Sequence, residues 1–545
     1  MKFLLLAGVL YLAQAFGLNA QVNSPPYSPP DANLRPNPDT FSYDVGVNKY
    51  DGDTYLYFSP SFNMNFSNKW GFSLQVPLNI LMSDKDPKYP KSRVGMLRPG
   101  DYNTREDYQR ILNYVWLGKY GVYTPNKITY SVYAGKMFDG YIGHGTIINR
   151  YINNQRIDYY KIGVQADINT DYGGAQVFTN SVSDKEVNAG RAYVRPYGVI
   201  YGIYSLFSGR SSMAYLMSGN VIDEAGRKKV HEELDEEKEE KYIVVERDPN
   251  TGEMKEKEKT VPRKEDKDPP PPARETAYDS IFNRFAVGVT SAFDGHAPSQ
   301  LDFDTTGNLR YDKYNQPKVK YSKRMGIEGY DFEFKPIAKD WIQLTTYVDF
   351  NKIKHLDNAR GRHNGIILKL GTDNYNITLR PEFRKMSSNY IPMYFDSFYE
   401  IERTQANLGS SFPETKYETV NRMTPNGKEV TGYFHSVIIN LKKIGLEASY
   451  EDYSGSNNSR VFAGVYIPIG SFFRLSGFYS KKGFDKSREA FKPDDKAMGA
   501  GELALNVGPV TLKIQDRRTW IWDSTANKYQ SRDEHLFLFS GGKSF

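Results

Sequence analysis

The sequence predicts an all-β fold: a transmembrane antiparallel β-barrel of about 20 strands, within about 18–22, with short periplasmic turns and long extracellular loops. Three observations carry that prediction. Apolar and polar residues alternate with period two over stretches of about 10 residues, the span a tilted strand needs to cross a bilayer. No run of 18 apolar residues occurs after residue 40, so no membrane helix is available. The connections swing between very short and very long, as at 67–69 followed by 81–107, and at 442–443 after 386–429.

Composition agrees. Of 545 residues, 39% are hydrophobic and mean hydropathy is −0.62, yet aromatics reach 14%, with Tyr 42 and Phe 31. Such a chain is polar on average and rich in β-favouring rings. A net charge of +6, with pI near 8.8, is too slight to imply a nucleic-acid partner. With Cys 0 there are no disulfides, thiolate nucleophiles, Cys-ligated metals or lipid anchor on an N-terminal cysteine.

Taken in order, residues 1–20 read as a secretory signal: Lys2, then an apolar core from Phe3 to Leu12, then small residues at Ala13, Ala15 and Ala20, with cleavage after Ala15 or Ala20. Residues 21–39 form a Pro-rich extended segment with Pro25, Pro26, Pro29, Pro30, Pro36 and Pro38. The barrel occupies 40–545.

Along 55–66, Leu56, Phe58, Phe62 and Met64 share one face, while Tyr55, Tyr57, Ser59, Ser61 and Asn63 share the other. The same separation sets Tyr375, Ile377, Leu379 and Phe383 against Asn376, Arg380, Glu382 and Arg384, and Val510, Leu512 and Ile514 against Lys513, Gln515 and Arg517. Further candidate strands include 108–119 and 190–206. A soluble β-sandwich also alternates; strand length, loop asymmetry and Trp70, Trp341, Trp520 and Trp522 at strand ends, where an interfacial belt places them, favour the membrane.

Residues 223–275 are a charged insertion, dense in Glu and Lys, read as disorder or as a short helix followed by a ribbon over 242–258, with a Pro run at 269–272.

Motifs for catalysis are weak. Gly499-Ala500-Gly501 imitates a dinucleotide loop but sits inside an alternating strand. Asp302, Asp304 and Gly307 fall at calcium-loop spacing, yet Lys313 stands where a bidentate Glu is needed, so a turn is the better account. His144, within Gly143-His144-Gly145, reads as a constriction or loop residue. No metal site, cofactor or catalytic set is expected.

If the apolar faces meet lipid, the inward candidates are Lys161, Asp167, Asp349, Arg380, Glu382, Arg384, Glu447, Glu451, Arg474, Glu502, Lys513 and Arg517. Neither sign dominates. They either set up a transverse field that suits hydrophilic cargo or pair between strands and stabilise the wall.

The chain ends HLFLFSGGKSF, with Phe537, Phe539 and Phe545 in a terminal strand. In this it resembles bacterial outer-membrane β-barrels of Gram-negative or spirochaetal, porin-like type, which finish on a terminal Phe preceded by alternating apolar residues. Lys543 and Gly541 depart from that pattern. The resemblance implies that the outer-membrane assembly machinery reads Phe537, Phe539 and Phe545. The combined expectation is a porin-like channel in the cell outer membrane for passive diffusion of small hydrophilic solutes. Its partners would be the lipid bilayer, that machinery, small polar solutes and further copies of itself. The rivals are a barrel enzyme such as a lipid hydrolase, and a surface adhesin or secretion component that uses its long loops.

Overall fold

The computed structural model describes residues 26–27, 39–50, 53–66, 69–84, 94–98, 101–118, 128–154, 160–184, 186–207, 239–247, 254–262, 280–312, 316–372, 374–406, 412–425, 427–470, 472–492, 497–507 and 510–544. The expected signal segment and Phe545 lie outside them, as does most of 21–39.

Period-two alternation becomes strand nearly throughout. The strands are β1 (Thr40–Tyr50), β2 (Asp53–Phe66), β3 (Trp70–Gln75), β4 (Leu78–Ser83), β5 (Leu112–Gly118), β6 (Thr129–Gly135), β7 (Ile148–Asn149), β8 (Gly163–Asn169), β9 (Gly173–Thr179), β10 (Val187–Val194), β11 (Glu239–Arg247) and β12 (Met254–Pro262). They continue as β13 (Phe285–Leu301), β14 (Val319–Lys339), β15 (Ile342–Ile353), β16 (Arg360–Gly371), β17 (Tyr375–Met386), β18 (Phe395–Asp396), β19 (Val430–Leu441) and β20 (Ile444–Tyr453). The last are β21 (Ser459–Ile469), β22 (Phe473–Phe484), β23 (Ala497–Val507), β24 (Val510–Asp523) and β25 (Lys528–Ser544).

β3 and β4 are one stave interrupted at Val76 and Pro77, since both pair with β2. Proline cannot donate to a ladder, so the break falls there. Leaving aside β7, β18, β11 and β12, each stave pairs antiparallel with its neighbours. Register from Thr40↔Ser544 to Lys49↔His535 joins the first to the last. The result is a closed barrel of 20 strands. No helix among the described residues is long and apolar enough to cross a membrane.

Polarity is inside-out. On β2, Tyr55, Tyr57, Ser59, Ser61 and Asn63 are buried toward the lumen while Phe58 is exposed outward. On β17, Asn376, Glu382 and Arg384 are buried, whereas Tyr375, Ile377, Leu379 and Phe383 face out. In water this would expose an apolar belt that no monomer tolerates. In lipid it satisfies every strand, because closure leaves no unpaired edge.

The rim bearing the start of β1 and the end of β25 also carries the short connections 67–69, 170–172, 340–341, 372–374, 442–443, 470–472 and 508–509. The other rim carries 84–111, 136–162, 302–318 and 387–429. The first is the periplasmic rim and the second the extracellular one. At 442–443 the chain turns between Leu441 and its register partner Ile444 by placing Lys442 at φ 59°, the left-handed region.

Three expectations are corrected. The candidate strand 190–206 stops at Val194, and the chain enters the helix α1 (Pro196–Phe207). Pro196 is its first residue, where a missing N–H costs nothing. The candidate 108–119 opens with a 3-10 turn, Glu106–Ile111, before β5. Trp70 and Trp341 are exposed at periplasmic turns, as a belt requires, but Trp520 and Trp522 are buried. Trp520 stacks on Phe398 at 5.8 Å, and its indole N–H donates to the Gln405 carbonyl at 3.1 Å.

The chain between β10 and β13, 196–283, is a separate compact unit. It contains α1 and the β11–β12 hairpin, paired from Glu239↔Pro262 to Arg247↔Met254. The strand ends that lead into and out of it, Val194 and Phe285, lie at the periplasmic rim.

Candidate functional site

The lumen is a large polar surface, and two extracellular connections fold into it. In 136–162, Gly143 and Gly145 adopt φ of 58° and 73°, which lets the chain turn sharply on either side of His144. Beyond them, β7 pairs in parallel with β18 from the second connection, 387–429. The second connection also holds α2 (Tyr399–Glu402) and α3 (Lys416–Arg422). Thr415 and Glu418 form a reciprocal capping box that satisfies the first amides of α3.

Apolar side chains seat these loops on the wall. Ile142, Ile147, Ile148 and Tyr151 of the first loop, with Tyr394, Phe395 and Val420 of the second, form one buried cluster with wall residues Ala292, Met325, Ile327 and Ile353. Burying such side chains is worth about 1.5–3 kcal/mol each.

Charged contacts complete the seating. His144 lies between two wall carboxylates, with Nδ1 2.8 Å from Asp349 and Nε2 2.9 Å from Glu333, and it stacks on Tyr347 at 4.2 Å. Burial by itself lowers the imidazole pKa, but Asp349 and then Glu333 outweigh it and raise His144 to about 9. Both nitrogens therefore donate. Arg150 binds Glu447 through Nε, and reaches Ser449 at 3.0 Å and Ser436 at 3.1 Å.

The charged candidates for the lumen lie on this inner surface, and most are already paired. Glu382 accepts from Arg384, from Arg380 at 2.9 Å and from the Tyr347 hydroxyl at 2.5 Å, with His363 Nδ1 2.9 Å away. Arg384 also donates to Glu451 at 2.9 Å. Asp349 belongs to the His144 contact and Glu447 to Arg150. Lys161, just before β8, binds Glu186 and Glu400, the latter at 2.8 Å. Arg474 binds Glu502, Lys513 reaches Asp44 at 3.2 Å, and Asp167 accepts from Ser131. Arg517 donates to the Asn154 carbonyl at 2.8 Å. Of the terminal aromatics, Phe537 is exposed outward and meets Phe539 edge-on at 5.2 Å.

Alternation could not reveal the partners that lie on loops: Arg150, Glu400, Arg403 and Lys136. Arg403 binds Glu186 and Asp294, while the Lys136 ammonium rests 4.5 Å over the Tyr160 ring. The Gly-rich run 140–145 was the available signal. Asp304 is a turn residue, accepting from the Thr306 and Asn308 amides at 2.9 and 2.8 Å.

Beneath the folded-in loops lies a cavity of 370 Å³, lined by Arg150, Arg380, Glu447, His144, Ser436 and Thr378 among others. It can hold a small molecule and presents charges of both signs, hydroxyls and aromatic faces.

No protein-family model matches the chain, and no curated protein sequence does. Among solved structures, 93% of the chain is similar to the outer membrane protein OpdK of Pseudomonas aeruginosa, at 6% identity and TM-score 0.27, covering 98% of that chain. A mutant ferric enterobactin receptor of the same organism matches 93% of the chain at 8% identity and TM-score 0.32, covering 81% of the receptor. OccAB3 of Acinetobacter baumannii matches 93% at 9% identity and TM-score 0.26, covering 98%. What makes this chain an outer-membrane β-barrel is its own closure and inside-out polarity.

Proposed function

We propose that the chain is a porin-like channel of the outer membrane through which small hydrophilic solutes diffuse passively. The reading is supported by one observation above others: inside a closed wall, charged and hydroxyl groups converge on a 370 Å³ cavity below the folded-in loops. Such a cavity replaces part of a polar solute's hydration shell and repels apolar ones. Arg380 lines it and stays 12% exposed beside a fully buried Glu382, so it is the residue on which a passing anion would act. On this reading the protein works as a conduit without a cofactor, and the assembly machinery reads β25.

Purified protein in planar bilayers should give discrete current steps, and Arg380→Glu should move the reversal potential toward cations. No current at any voltage would overturn the channel. Phospholipid hydrolysis lost on replacing an inward Ser or His would put an enzyme in its place.

A further inference from the structure

Tyr27 precedes the barrel by more than ten residues of sequence, yet it is buried inside it, 5% exposed. Three adjacent staves hold it. Its amide donates to Ser476 Oγ on β22 at 3.2 Å, and that hydroxyl donates back to the Tyr27 carbonyl at 2.5 Å. One serine thus satisfies both backbone groups of a single residue, as a strand partner would. The phenol donates to Glu447 on β20 at 3.0 Å. Burial, then the Glu447 charge, push the Tyr27 phenol well above its usual range, which keeps it a neutral donor.

The wall is shaped for the ring. Gly464 on β21 is the register partner of both Glu447 and Phe478, so it lies between them. A Cβ at Gly464 would fall 2.5 Å from two ring carbons of Tyr27. Gly464 has no positive φ, so the strand does not need glycine for its backbone; the missing side chain makes room. Phe462 packs against the ring at 6.3 Å, tilted 54°. Arg150 of the folded-in loop meets the same wall residues, over Phe462 at 4.7 Å and bound to Glu447. Glu447 and Arg150 also line the luminal cavity, so the ring is held at its edge.

We propose that Glu447, Gly464 and Ser476 form a binding site for a phenol-bearing peptide unit, filled here by Tyr27 and open to tyrosine-type amides when Tyr27 is withdrawn. The site takes an amide N–H and C=O at Ser476, a phenol at Glu447 and a flat ring against Gly464. Tyr27 then acts as a built-in competitor beside the solute path. Binding stands by itself, whereas its effect on current rests on the channel reading.

The test uses full-length protein in detergent with N-acetyl-tyrosinamide as probe, read by saturation-transfer NMR and calorimetry. Tyr27→Ala should bind the probe at least about tenfold more tightly than the unaltered chain, because the site is vacated. N-acetyl-phenylalaninamide, which lacks the hydroxyl, should bind about tenfold more weakly than the tyrosine amide. Adding Gly464→Ala to Tyr27→Ala should abolish binding. Tyr27→Phe, which keeps ring and backbone in place, should raise probe affinity by less than Tyr27→Ala and guards against loss of folding. Equal binding by Tyr27→Ala and the unaltered chain, or binding that survives Gly464→Ala, overturns the site. In bilayers the probe should reduce the current of Tyr27→Ala alone. Probe binding with no current from any variant would leave the site standing and remove the channel.

Discussion

Two sectors of the wall that lie opposite each other in strand order handle their polar groups differently. In β14–β20 the inner face carries charges, and their partners include the folded-in loops: Asp349 and Glu333 with His144, Glu447 with Arg150. Around β1 and β2 the inner face carries mostly neutral groups that bond to nearby strands. Ser42 and Ser61 hydroxyls meet at 2.6 Å, Asn48 donates to Asn79 at 3.1 Å, and Asn63 donates to Thr40 at 2.9 Å. The difference separates two uses of a polar lumen. Buried ions need partners of opposite sign, so a charged sector holds whatever brings those partners, whereas a neutral one mostly stitches its own staves.

Breaking the charged sector at its centre should have the largest effect. Glu382→Ala leaves Arg384, Arg380 and His363 buried without their shared carboxylate, and should cost about 3–5 kcal/mol, seen as a lower unfolding temperature in detergent. A loss below about 1 kcal/mol would mean that these charges are solvated and that the contrast between the sectors is false.

The loop clamp comes next and depends on pH. His144 is raised to about 9 when folded, above its unfolded value of about 6.5. Its contribution, of order 3 kcal/mol, is therefore complete below about pH 6.5 and is lost as pH rises through about 9. Proteolysis of loop 136–162 should accelerate over that window in the unaltered chain. His144→Gln should be cut quickly at every pH; a pH-dependent rate in that variant would assign the titration elsewhere.

In the neutral sector, Ser42→Ala removes one partner of a buried hydroxyl pair and should cost about 1 kcal/mol in the same unfolding experiment, with no change in loop proteolysis. Coupled loop release would show that this sector also anchors something.

Smallest in stability is Lys136→Met. The ammonium rests on Tyr160 with no carboxylate within salt-bridge distance among the described residues, so its removal should change stability by less than about 1 kcal/mol. Under the channel reading it should still lower anion preference in reversal-potential measurements.

Much of the fold was legible because a membrane barrel writes its architecture in local terms. Stripes on β2, β17 and β24 show which face meets lipid, connection lengths separate the rims, and the inward position of Glu382 or Lys513 follows from counting by two. Residues 190–206 misled because an apolar run bounded by Pro196 alternates acceptably as a strand while also fitting a helix. Trp520 and Trp522 misled because a strand that rises into folded-in loops buries aromatics that would otherwise stand in the belt.

The sequence by itself determined that this chain closes into a barrel with a wet interior, since period, length and polarity are properties of each strand and its immediate turn. Only the tertiary structure decided what fills that interior. Whether Arg150 meets Glu447, His144 meets Asp349, or Tyr27 lies against Gly464 depends on contacts between segments up to hundreds of residues apart. No local pattern encodes such distances; they are selected by which loop can bury its apolar residues and neutralise buried charges at once.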